Sequence, residues 1–414
     1  MNKGFPYLKL KELCDVNQGL QIPIDERYTE PGENRFFYIT VQFLKDSHLN
    51  KFYVKNPPLS SICNDDDILI VRTGSTGQIV TGVSGCFHNN FFKVNYNKEL
   101  INGRYLYHCL NTKEKYKDML RRAGVTTIPD LNHFMFLDME IPVPPKNIQI
   151  QISKTLDSLD LKIELNNRIN LELEGMAKLL YDYWFVQFDF PNAEGKPYKS
   201  SGGKMVWNAE LKREVPEGWG EGNLSCLGEI IGGSTPPREI EEYFTNNGTA
   251  WITPKDLSIN TGNKFITKGE LDVSDKGIRA ASLNIMPAGS ILLSSRAPIG
   301  YLAIAREPVT TNQGFKSFVL CKGYSREFVY YTIKNMIPTI ENNAVGSTFK
   351  EVSASTIKTI PICLPDNNIL KKYTETVQPI FKRQDKLELE NQQLSSLRDW
   401  LLPMLMNGQV SIKN

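Results

Sequence analysis

Short runs of apolar residues alternate along the chain with turns that are rich in glycine and polar residues. Asp67–Val71 and Ser290–Leu293 are two such runs, and their length and polar borders predict buried β-strands. In 103–111 and 325–334, apolar and aromatic residues recur at helical spacing, which predicts helices. The pattern therefore predicts mixed α/β structure.

Two longer tracts, 148–185 and 367–408, follow a seven-residue pattern with almost no helix breakers. Apolar residues recur at the first and fourth positions of each heptad, and asparagine or glutamine interrupts the row, as in a coiled coil whose polar rungs fix the register. If the first tract is fully helical, it is about 57 Å long. A small domain cannot bury such a helix, so we expect the two tracts to pack antiparallel on each other.

The predicted seam of this helix pair is apolar apart from its asparagines and one glutamine. Pro379 is expected to kink the second helix or to mark a new start, and Leu401–Pro403 resemble a helix cap. The seam positions are Leu156, Leu159, Ile163, Asn166, Asn170, Leu173, Ala177, Leu180 and Trp184 in the first tract, and Tyr373, Val377, Ile380, Gln384, Leu387, Asn391, Leu394, Leu397 and Leu401 in the second.

The chain also repeats itself at a long interval, and this repeat predicts a tandem duplication. Leu10, Leu13, Gly19 and Pro23 recur 214 positions later as Leu224, Leu227, Gly233 and Pro237. Further blocks recur in the same order at shifts between 213 and 224: Tyr38–Thr40 with Trp251–Thr253, Ile68–Ile70 with Ile291–Leu293, Gly77 with Gly300, Asn89 with Asn312, Phe92–Lys93 with Phe315–Lys316, Gly124 and Thr126 with Gly346 and Thr348, and Ile141–Pro142 with Ile360–Pro361.

The repeat and the helical tracts together predict an α+β fold, in which two long antiparallel coiled-coil helices separate two similar mixed α/β domains. Glycine, proline and serine are dense between the copies, which is typical of an exposed connector. The expected order is a first domain at 1–147, a helix at 148–187, the connector at 188–221, a second domain at 222–366 and a helix at 367–408.

Composition sets limits on function. The 414 residues carry a net charge of only +2, so any binding of nucleic acid has to depend on local basic patches. Seven scattered cysteines without a C-x-x-C pair are typical of reduced thiols in a cytoplasmic protein. We find no secretory apolar stretch behind the N-terminus and no run of 18 apolar residues, so we expect no membrane span.

Motifs that could indicate catalysis are weak. Asn56–Leu59 resembles the Asn-Pro-Pro-aromatic loop of amino-methyltransferases, but its fourth residue is leucine and no glycine-rich cofactor loop precedes it, so a turn is favoured. The histidines His48, His88, His108 and His133 all lie in the first copy, which argues against a duplicated metal site. We therefore expect no catalytic residue and no metal in this chain. A stand-alone amino-methyltransferase and a scaffold with two protein-binding modules stay as alternatives.

Two similar modules in one chain suit a split target, because a duplicated chain can let its halves differ and read an asymmetric sequence. The stretch Leu180–Pro191, followed by Gly195–Met205 and Val215–Trp219, resembles the central region of type I restriction-modification specificity subunits. The Leu-x-x-Leu that opens each copy, followed by a glycine and proline turn, is also similar to that family. The resemblance covers essentially the whole chain in the order domain, helix, domain, helix.

The resemblance implies a role and a set of partners. Each domain would read one half of a split site on double-stranded DNA, and the helix pair would set the gap between the halves. Two methyltransferase subunits would dock on the chain and carry S-adenosylmethionine. Restriction subunits would add ATP-driven translocation and Mg-dependent cleavage. The specificity chain itself would bind no cofactor, and the whole system would be a cytoplasmic DNA-restriction and DNA-methylation system.

Candidate DNA-binding residues come from loops that follow predicted strands, because loops on a rigid scaffold usually carry recognition. Arginine can pair with guanine, asparagine or glutamine can bind adenine through two hydrogen bonds, and hydroxyls and backbone amides suit phosphate. The candidates are Arg72, Thr73, Ser75, Thr76, Asn89, Asn90, Thr126 and Thr127 in the first copy, and Lys255, Ser294, Ser295, Arg296, Asn312, Gln313, Ser347 and Thr348 in the second.

Each candidate also has an ordinary structural alternative. Arg72 and Arg296 could brace their own loops, and Asn89 could cap a turn. The aromatic residues at the helix ends could belong to the core or form a docking surface for the methyltransferase. These residues are Tyr183, Trp184, Phe185 and Trp400.

Overall fold

A computed structural model describes residues 5–45, 50–124, 129–320, 323–346 and 350–410. By contacts within the chain, it forms two compact units. Unit 1 consists of Met1–Ile163 with Gln393–Asn414, and unit 2 consists of Glu164–Gln392. Each unit thus contains one copy of the repeat and a part of each long helix, and the domain boundaries expected from the sequence stay a prediction.

Unit 1 is built on two four-stranded sheets and a separate strand pair, in the part of it that the structure describes. The sheets have the orders β2-β9-β6-β7 and β4-β3-β8-β5, and β1 pairs with β10. The strands are β1 (Tyr7–Lys9), β2 (Cys14–Gln18), β3 (Arg35–Ile39), β4 (Tyr53–Lys55), β5 (Ile62–Cys63), β6 (Ile68–Val71), β7 (Ile79–Val80), β8 (Gly85–Phe87), β9 (Phe91–Tyr96) and β10 (Glu140–Pro142).

Unit 2 repeats this plan within its described residues. Its sheets have the orders β14-β22-β19-β20-β17 and β15-β18-β16-β21, β13 pairs with β23, and β11 forms a hairpin with β12. The strands are β11 (Met205–Asn208), β12 (Arg213–Pro216), β13 (Gly220–Asn223), β14 (Gly228–Gly232), β15 (Phe244–Thr245), β16 (Thr249–Ile252), β17 (Phe265–Ile266), β18 (Leu271–Val273), β19 (Ile291–Ser295), β20 (Ile299–Ala305), β21 (Val309–Thr311), β22 (Lys316–Leu320) and β23 (Pro361–Leu364).

Helices cover the sheets in both units and include the two helices expected from the sequence near 103 and 325. Asn102 caps the first of these through its side-chain oxygen, which accepts from the Tyr105 amide at 2.9 Å. The helices are α1 (Val41–Lys45), α2 (Gly103–Leu110), α3 (Lys113–Ala123), α4 (His133–Leu137), α5 (Lys146–Tyr181), α6 (Pro254–Ile259), α7 (Asp275–Ala280), α8 (Arg326–Asn342), α9 (Ala354–Thr359) and α10 (Asn367–Met406).

Strand β6 shows why the short apolar runs become central strands. Its four residues are all fully buried. Because side chains alternate across a strand, Ile68 and Ile70 join the core under α2, while Leu69 and Val71 join the core around Phe87. An uninterrupted apolar run is therefore required at β6, as it is at β19 in unit 2.

The duplication is confirmed by matching strand orders, but the structure corrects three of the predicted residue matches. Tyr38 on β3 pairs with Cys86 on the parallel strand β8, and its match Trp251 on β16 pairs with Thr310 on the parallel strand β21. Cys86 therefore corresponds to Thr310, which is a shift of 224 positions. With the same shift, Asn89 corresponds to Gln313 and not to Asn312. By the same comparison of strand pairings, Phe92 on β9 corresponds to Lys316 on β22, and Ile141 on β10 corresponds to Ile362 on β23.

The two long helices run antiparallel, as predicted. In unit 2 the Asn166 amide donates to the Asn391 side chain at 3.0 Å, the Asn170 carbonyl accepts from Gln384, and Tyr181 packs against Tyr373. As the residue numbers rise along α5, the residue numbers of their partners on α10 fall, so the helices are antiparallel. In unit 1, Arg398 pairs with Asp160 at 2.8 Å in the same sense.

Of the predicted seam side chains, Leu397 is exposed, which corrects its assignment to the seam, and the others are buried or partly buried. The buried members are Leu156, Asn166, Asn170, Ala177, Trp184, Tyr373, Val377, Gln384 and Leu387. Asn391 also donates to Asn167 at 2.7 Å, so the polar rung joins both helices. The partly buried members are Leu159, Ile163, Leu173, Leu180, Ile380, Asn391, Leu394 and Leu401.

Pro379 does not start a new helix, which corrects one of the two expectations for it. Helix α10 is continuous from Asn367 to Met406 and includes both Pro379 and Pro403. Pro379 is exposed, so the carbonyl that loses its usual helical partner is on a face that water can reach.

The segment expected to be an exposed connector is folded in its middle and packs into the core of unit 2. A π-helical turn, Asp182–Val186, follows α5, and β11 and β12 form a hairpin. Phe188, Phe190 and Trp219 are nearly fully buried, and Phe190 stacks on Trp219 with 5.1 Å between ring centres. Aromatic residues spaced among the glycines and prolines provide this packing, which the loop-like composition conceals.

No helix in the described ranges combines the length and apolar character needed to cross a membrane.

Candidate nucleic-acid interface

An ion pair of Arg72 holds the loop after β6, which is the structural alternative to DNA binding that the sequence allowed for this residue. Arg72 donates to both carboxylate oxygens of Asp130, at 2.9 and 2.7 Å, and the backbone of Thr73 forms a bridge with Asp130. Such a two-point pair is among the strongest that arginine makes. Arg72 therefore braces its loop, and its side chain is only partly exposed.

Thr76 in the same loop also has a structural role. Its hydroxyl is buried and donates to the Pro129 carbonyl at 2.7 Å. Ser75 is partly buried, and its carbonyl accepts from the Gln78 amide in a tight turn. The loop is therefore rigid, and its outer surface consists of Thr73, Gly74 and Ser75.

Asn89 and Asn90 lie beside this loop. The Asn89 amide donates to the Gln21 side chain at 3.0 Å, and the Asn90 carbonyl accepts from the Arg72 amide at 2.7 Å. Gln18 donates to the Asn89 carbonyl and lines a small cleft together with Arg72. The structure thus brings Arg72, Asn89 and Asn90 close together.

In unit 2, one open cleft collects three of the candidates from separate parts of the sequence. Lys255 comes from α6, Arg296 follows β19, and Asn312 follows β21. The cleft has a volume of about 540 Å³. Its full lining is Arg238, Trp251, Thr253, Pro254, Lys255, Asp256, Glu270, Leu271, Arg296, Ala297, Asn312 and Gly314.

Two cations of this cleft, Lys255 and Arg296, have acidic neighbours. Lys255 donates to Glu270 at 2.6 Å, and this hydrogen bond raises the pKa of the exposed Lys255 ammonium. Arg296 lies 3.5 Å from Glu351, a looser contact than that between Arg72 and Asp130. Exposed pairs of this kind contribute little to stability, so a phosphate or a base edge can compete for the cations.

Other candidates in unit 2 are internal. Ser294 and Ser295 are fully buried, and the Ser294 hydroxyl donates to the Pro298 carbonyl at 2.8 Å. These two serines cannot contact DNA without unfolding the strand end, which corrects that expectation. Gln313 is exposed and accepts from the Thr235 hydroxyl. The candidates Thr126, Thr127, Ser347 and Thr348 lie outside the described residues.

Arg238 was missed by the sequence reasoning. It follows Thr235-Pro-Pro, lies exposed at the cleft, and its guanidinium is 5.8 Å from the centre of the Trp251 ring. The only sequence signal was a cation after the glycine and proline turn that opens the copy. With Lys255 and Arg296, it places three cations on one cleft in a chain of almost zero net charge.

A second missed feature is the surface of α4 in unit 1. His133, Phe134 and Met135 are consecutive and exposed, and 75 % of Phe134 is accessible to solvent. His133 lines the same small cleft as Arg72. The counterpart of α4 in unit 2, α9, begins with Ala354-Ser355-Thr356, so the two copies differ strongly here.

Evidence for a catalytic or metal site is lacking in the described residues. No group of three or more histidine, cysteine, aspartate or glutamate side chains is placed to hold a metal ion among them. Asn56 bends the chain with a positive φ of 48°, Leu59 begins a short 3-10 helix, Leu59–Ser61, and Leu59 is 85 % exposed. Of the helix-end aromatics, Trp184 and Phe185 are core residues, Tyr183 is partly buried, and Trp400 is exposed.

Comparison with known proteins agrees with this picture. A family model described as the type I restriction modification DNA specificity domain matches the chain twice, over residues 2–175 and 216–397. The type I restriction enzyme MjaIX specificity subunit of Methanocaldococcus jannaschii is 37 % identical over 212 residues, 48 % of each chain. The HindI specificity subunit of Haemophilus influenzae is 27 % identical over 373 residues, which cover 77 % of this chain and 80 % of that one.

A similar fold is present in a solved structure. The crystal structure of a type I restriction-modification S subunit from M. genitalium superimposes with a TM-score of 0.59 and covers 98 % of this chain and 96 % of that one. The sequences are 16 % identical, so this likeness shows the fold alone.

Proposed function

The chain belongs to the type I restriction-modification DNA specificity family, and from that premise we propose that each of its two copies reads one half of a split DNA target. Its relatives are specificity subunits, the non-catalytic components of restriction-modification complexes. The observation that carries the proposal is the cleft in unit 2, because Arg238, Lys255, Arg296 and Asn312 meet there from four separate segments.

Differences between equivalent positions support an asymmetric target. The structural alignment places Arg296 of the second copy where the first copy has Thr73, and Asn312 where the first has His88. Base readout depends on the donors and acceptors that a side chain presents in the groove. Two copies with the same strand order and different side chains would therefore read different half-sequences of double-stranded DNA.

The long helices would set the gap between the half-targets and carry the partners. Antiparallel packing with buried asparagine rungs gives the pair a fixed register, which a spacer element requires. Exposed apolar side chains on the long helices within each unit support docking of two methyltransferase subunits, since such residues are costly to leave in water. The docking row of unit 1 consists of Leu161, Leu397 and Trp400, and that of unit 2 consists of Leu165, Leu171, Met176, Leu179 and Leu389.

The chemistry would then belong to the partners. We assign S-adenosylmethionine to the methyltransferase subunits, and ATP and Mg²⁺ to the restriction subunits. The specificity chain would position the bound DNA for them and bind none of these groups itself.

A domain exchange tests this proposal. Residues 1–147 are replaced by the matching segment of a relative with a different target, and the chimera is assembled with its methyltransferase. We expect methylation at a new site that differs in one half only, and the converse exchange of residues 222–366 should change the other half. Methylation sequencing of host DNA reads the outcome, and a change in both halves or in neither would contradict the proposal.

A further inference from the structure

A deep cleft opens in unit 1 where α2, α3 and the last turns of α10 meet. It has a volume of about 450 Å³. Leu402 and Met406 provide apolar wall, and Met406 contacts the Cys109 thiol at 3.3 Å. Tyr7 and Asn407 border the cleft and share a hydrogen bond of 3.0 Å. Half of Tyr7 is exposed, so the cleft is accessible from solvent.

The repeat identifies the equivalent place in unit 2. Tyr7 pairs with Pro142 across β1 and β10, and Glu221 pairs with Cys363 across β13 and β23, so these two pairs correspond. Cys109 on α2 contacts Met406 near the end of α10. Thr332 on α8, in turn, contacts Tyr181 at the end of α5, with 3.2 Å between their hydroxyls. The end of α5 in unit 2 thus takes the place that the end of α10 takes in unit 1.

In unit 2 this place is covered by the segment that follows α5. Asn208 of the β11–β12 hairpin donates to the Glu221 carboxylate at 2.9 Å. Arg213 lies over the Phe188 ring at 4.4 Å, and its charge partly offsets the burial that raises the pKa of Cys363. Trp219 packs on Phe185 with 5.9 Å between ring centres. The cover therefore consists of buried aromatic rings with an arginine above them.

In unit 1 the described residues that follow α10, 407–410, form a turn, and no hairpin of the described residues lies over this place. The wall is also charged: Lys113 pairs with Asp399 at 2.7 Å, and Arg398 pairs with Asp160 at 2.8 Å. A segment that binds in this cleft would need apolar rings that pack on Leu402 and Met406, and polar groups that bond to the charged part of the wall.

We propose that this cleft binds an aromatic-bearing segment of the methyltransferase, which covers unit 1 in the way that 186–219 covers unit 2. The inference rests on the proposed function. Continuity with the docking row supports this partner, because Leu397 and Trp400 flank the cleft residues Arg398 and Asp399 on α10. The two methyltransferase subunits would then dock unequally, since described residues of unit 2 already fill the equivalent place.

Filling the mouth of the cleft tests the proposal. The Lys113 side chain is 86 % exposed, so Lys113→Trp adds an indole at the mouth with little effect on the core, whereas Lys113→Ala removes the same ion pair without filling it. We expect Lys113→Trp to weaken methyltransferase binding by about tenfold or more, and Lys113→Ala by less than about threefold, since exposed pairs contribute little. Calorimetry on the full chain with purified methyltransferase measures both.

Equal affinities for the two variants and the wild type would overturn the cleft proposal. If the wild type does not bind the methyltransferase at all, the result contradicts the proposed function itself, and the cleft proposal falls with it. A wild-type chain that dimerises alone, and that Lys113→Trp makes monomeric, would identify a second copy as the occupant and overturn our choice. As a direct readout, a benzophenone amino acid at Tyr7 should cross-link to a methyltransferase peptide that contains an aromatic residue, and cross-links confined to this chain would also contradict it.

Discussion

At the scale of single residues, two arginines at similar strand ends differ in their ion pairs, and this difference indicates which of them is free to contact DNA. Arg72 meets both oxygens of Asp130, so a DNA contact would first have to break two good hydrogen bonds. Arg296 has a single loose contact with Glu351, and it shares its cleft with Arg238 and Lys255. The cations of unit 2 are therefore the better candidates for base or phosphate contacts.

Replacing Arg238 should affect one half-target only. We expect Arg238→Ala to lower the affinity of the assembled complex for its target by about 1–3 kcal/mol if the guanidinium contacts a base. The loss should disappear for targets already altered at the matching base pair in that half. Arg279→Ala is the control, since Arg279 is exposed on α7 in the same unit and does not line the cleft. Similar losses for both variants would indicate a general charge effect.

Glu174 makes unit 2 sensitive to acid. Burial alone would raise the pKa of Glu174, but the Lys264 and Lys334 ammonium groups outweigh it and lower the pKa to about 2. An acid with a lowered folded-state pKa stabilises the fold above its ordinary pKa, and this contribution is lost as the pH falls from about 4.5 to about 2. The full shift corresponds to about 3 kcal/mol.

The comparison with Glu174→Gln isolates this effect. We expect the variant to be less stable than the wild type at pH 7, and the difference in unfolding free energy to shrink as the pH falls through that window. Chemical denaturation at several pH values measures it. A difference that stays constant with pH would show that the loss comes from packing and not from the charge of Glu174.

At the scale of elements, the sequence predicted best where one period persists. The heptads of α5 and α10 extend over many turns, so the helices could be predicted from spacing, and their antiparallel pairing from their matched lengths in the two copies. The folded segment after α5 could not, because its aromatics are separated by turns and find partners only in tertiary structure. For the same reason the match of Asn89 was wrong by one residue, since only the strand pairing of β8 and of β21 fixes it.

Two tryptophans of this segment give a matched test of its folding. Trp219 is 8 % exposed within an aromatic cluster, whereas Trp207 on β11 is 67 % exposed. We expect Trp219→Ala to cost about 3–5 kcal/mol of unfolding free energy, because it removes a large buried side chain and leaves a cavity. Trp207→Ala should cost less than about 1 kcal/mol. Denaturant unfolding of the two variants measures both, and equal costs would mean that the segment does not pack as described.

At the scale of the whole molecule, the duplication makes the chain nearly cyclic in its connections. In each unit, one long helix leaves the local copy and the other returns to it, so the first copy needs the end of α10 as the second needs the end of α5. Sequence could predict this plan because a series of blocks repeats in the same order. It could not predict which loop residues converge, since Lys255 and Asn312 are 57 positions apart and meet only through the sheet.

A circular permutant tests whether this closed plan, and not the order of segments, determines the fold. In unit 1 the Phe5 ring lies within contact distance of Gly408, and Tyr7 bonds to Asn407, so a short flexible linker from Val410 to Phe5 should be tolerated. The new ends would lie between Glu194 and Gly195, in an exposed turn. We expect the unfolding free energy of the permutant to lie within about 2 kcal/mol of the wild-type value, and the permutant to direct methylation to the same site.

A second permutant with the same linker is the matched control. It opens the chain between Leu292 and Leu293 in buried β19, where folding should fail because this strand pairs with a neighbour on each side. Denaturant unfolding of the two permutants, together with methylation sequencing, measures the outcome. If both permutants fold equally well, or if neither folds, the helix pair does not close the architecture in the way that the contacts of each unit indicate.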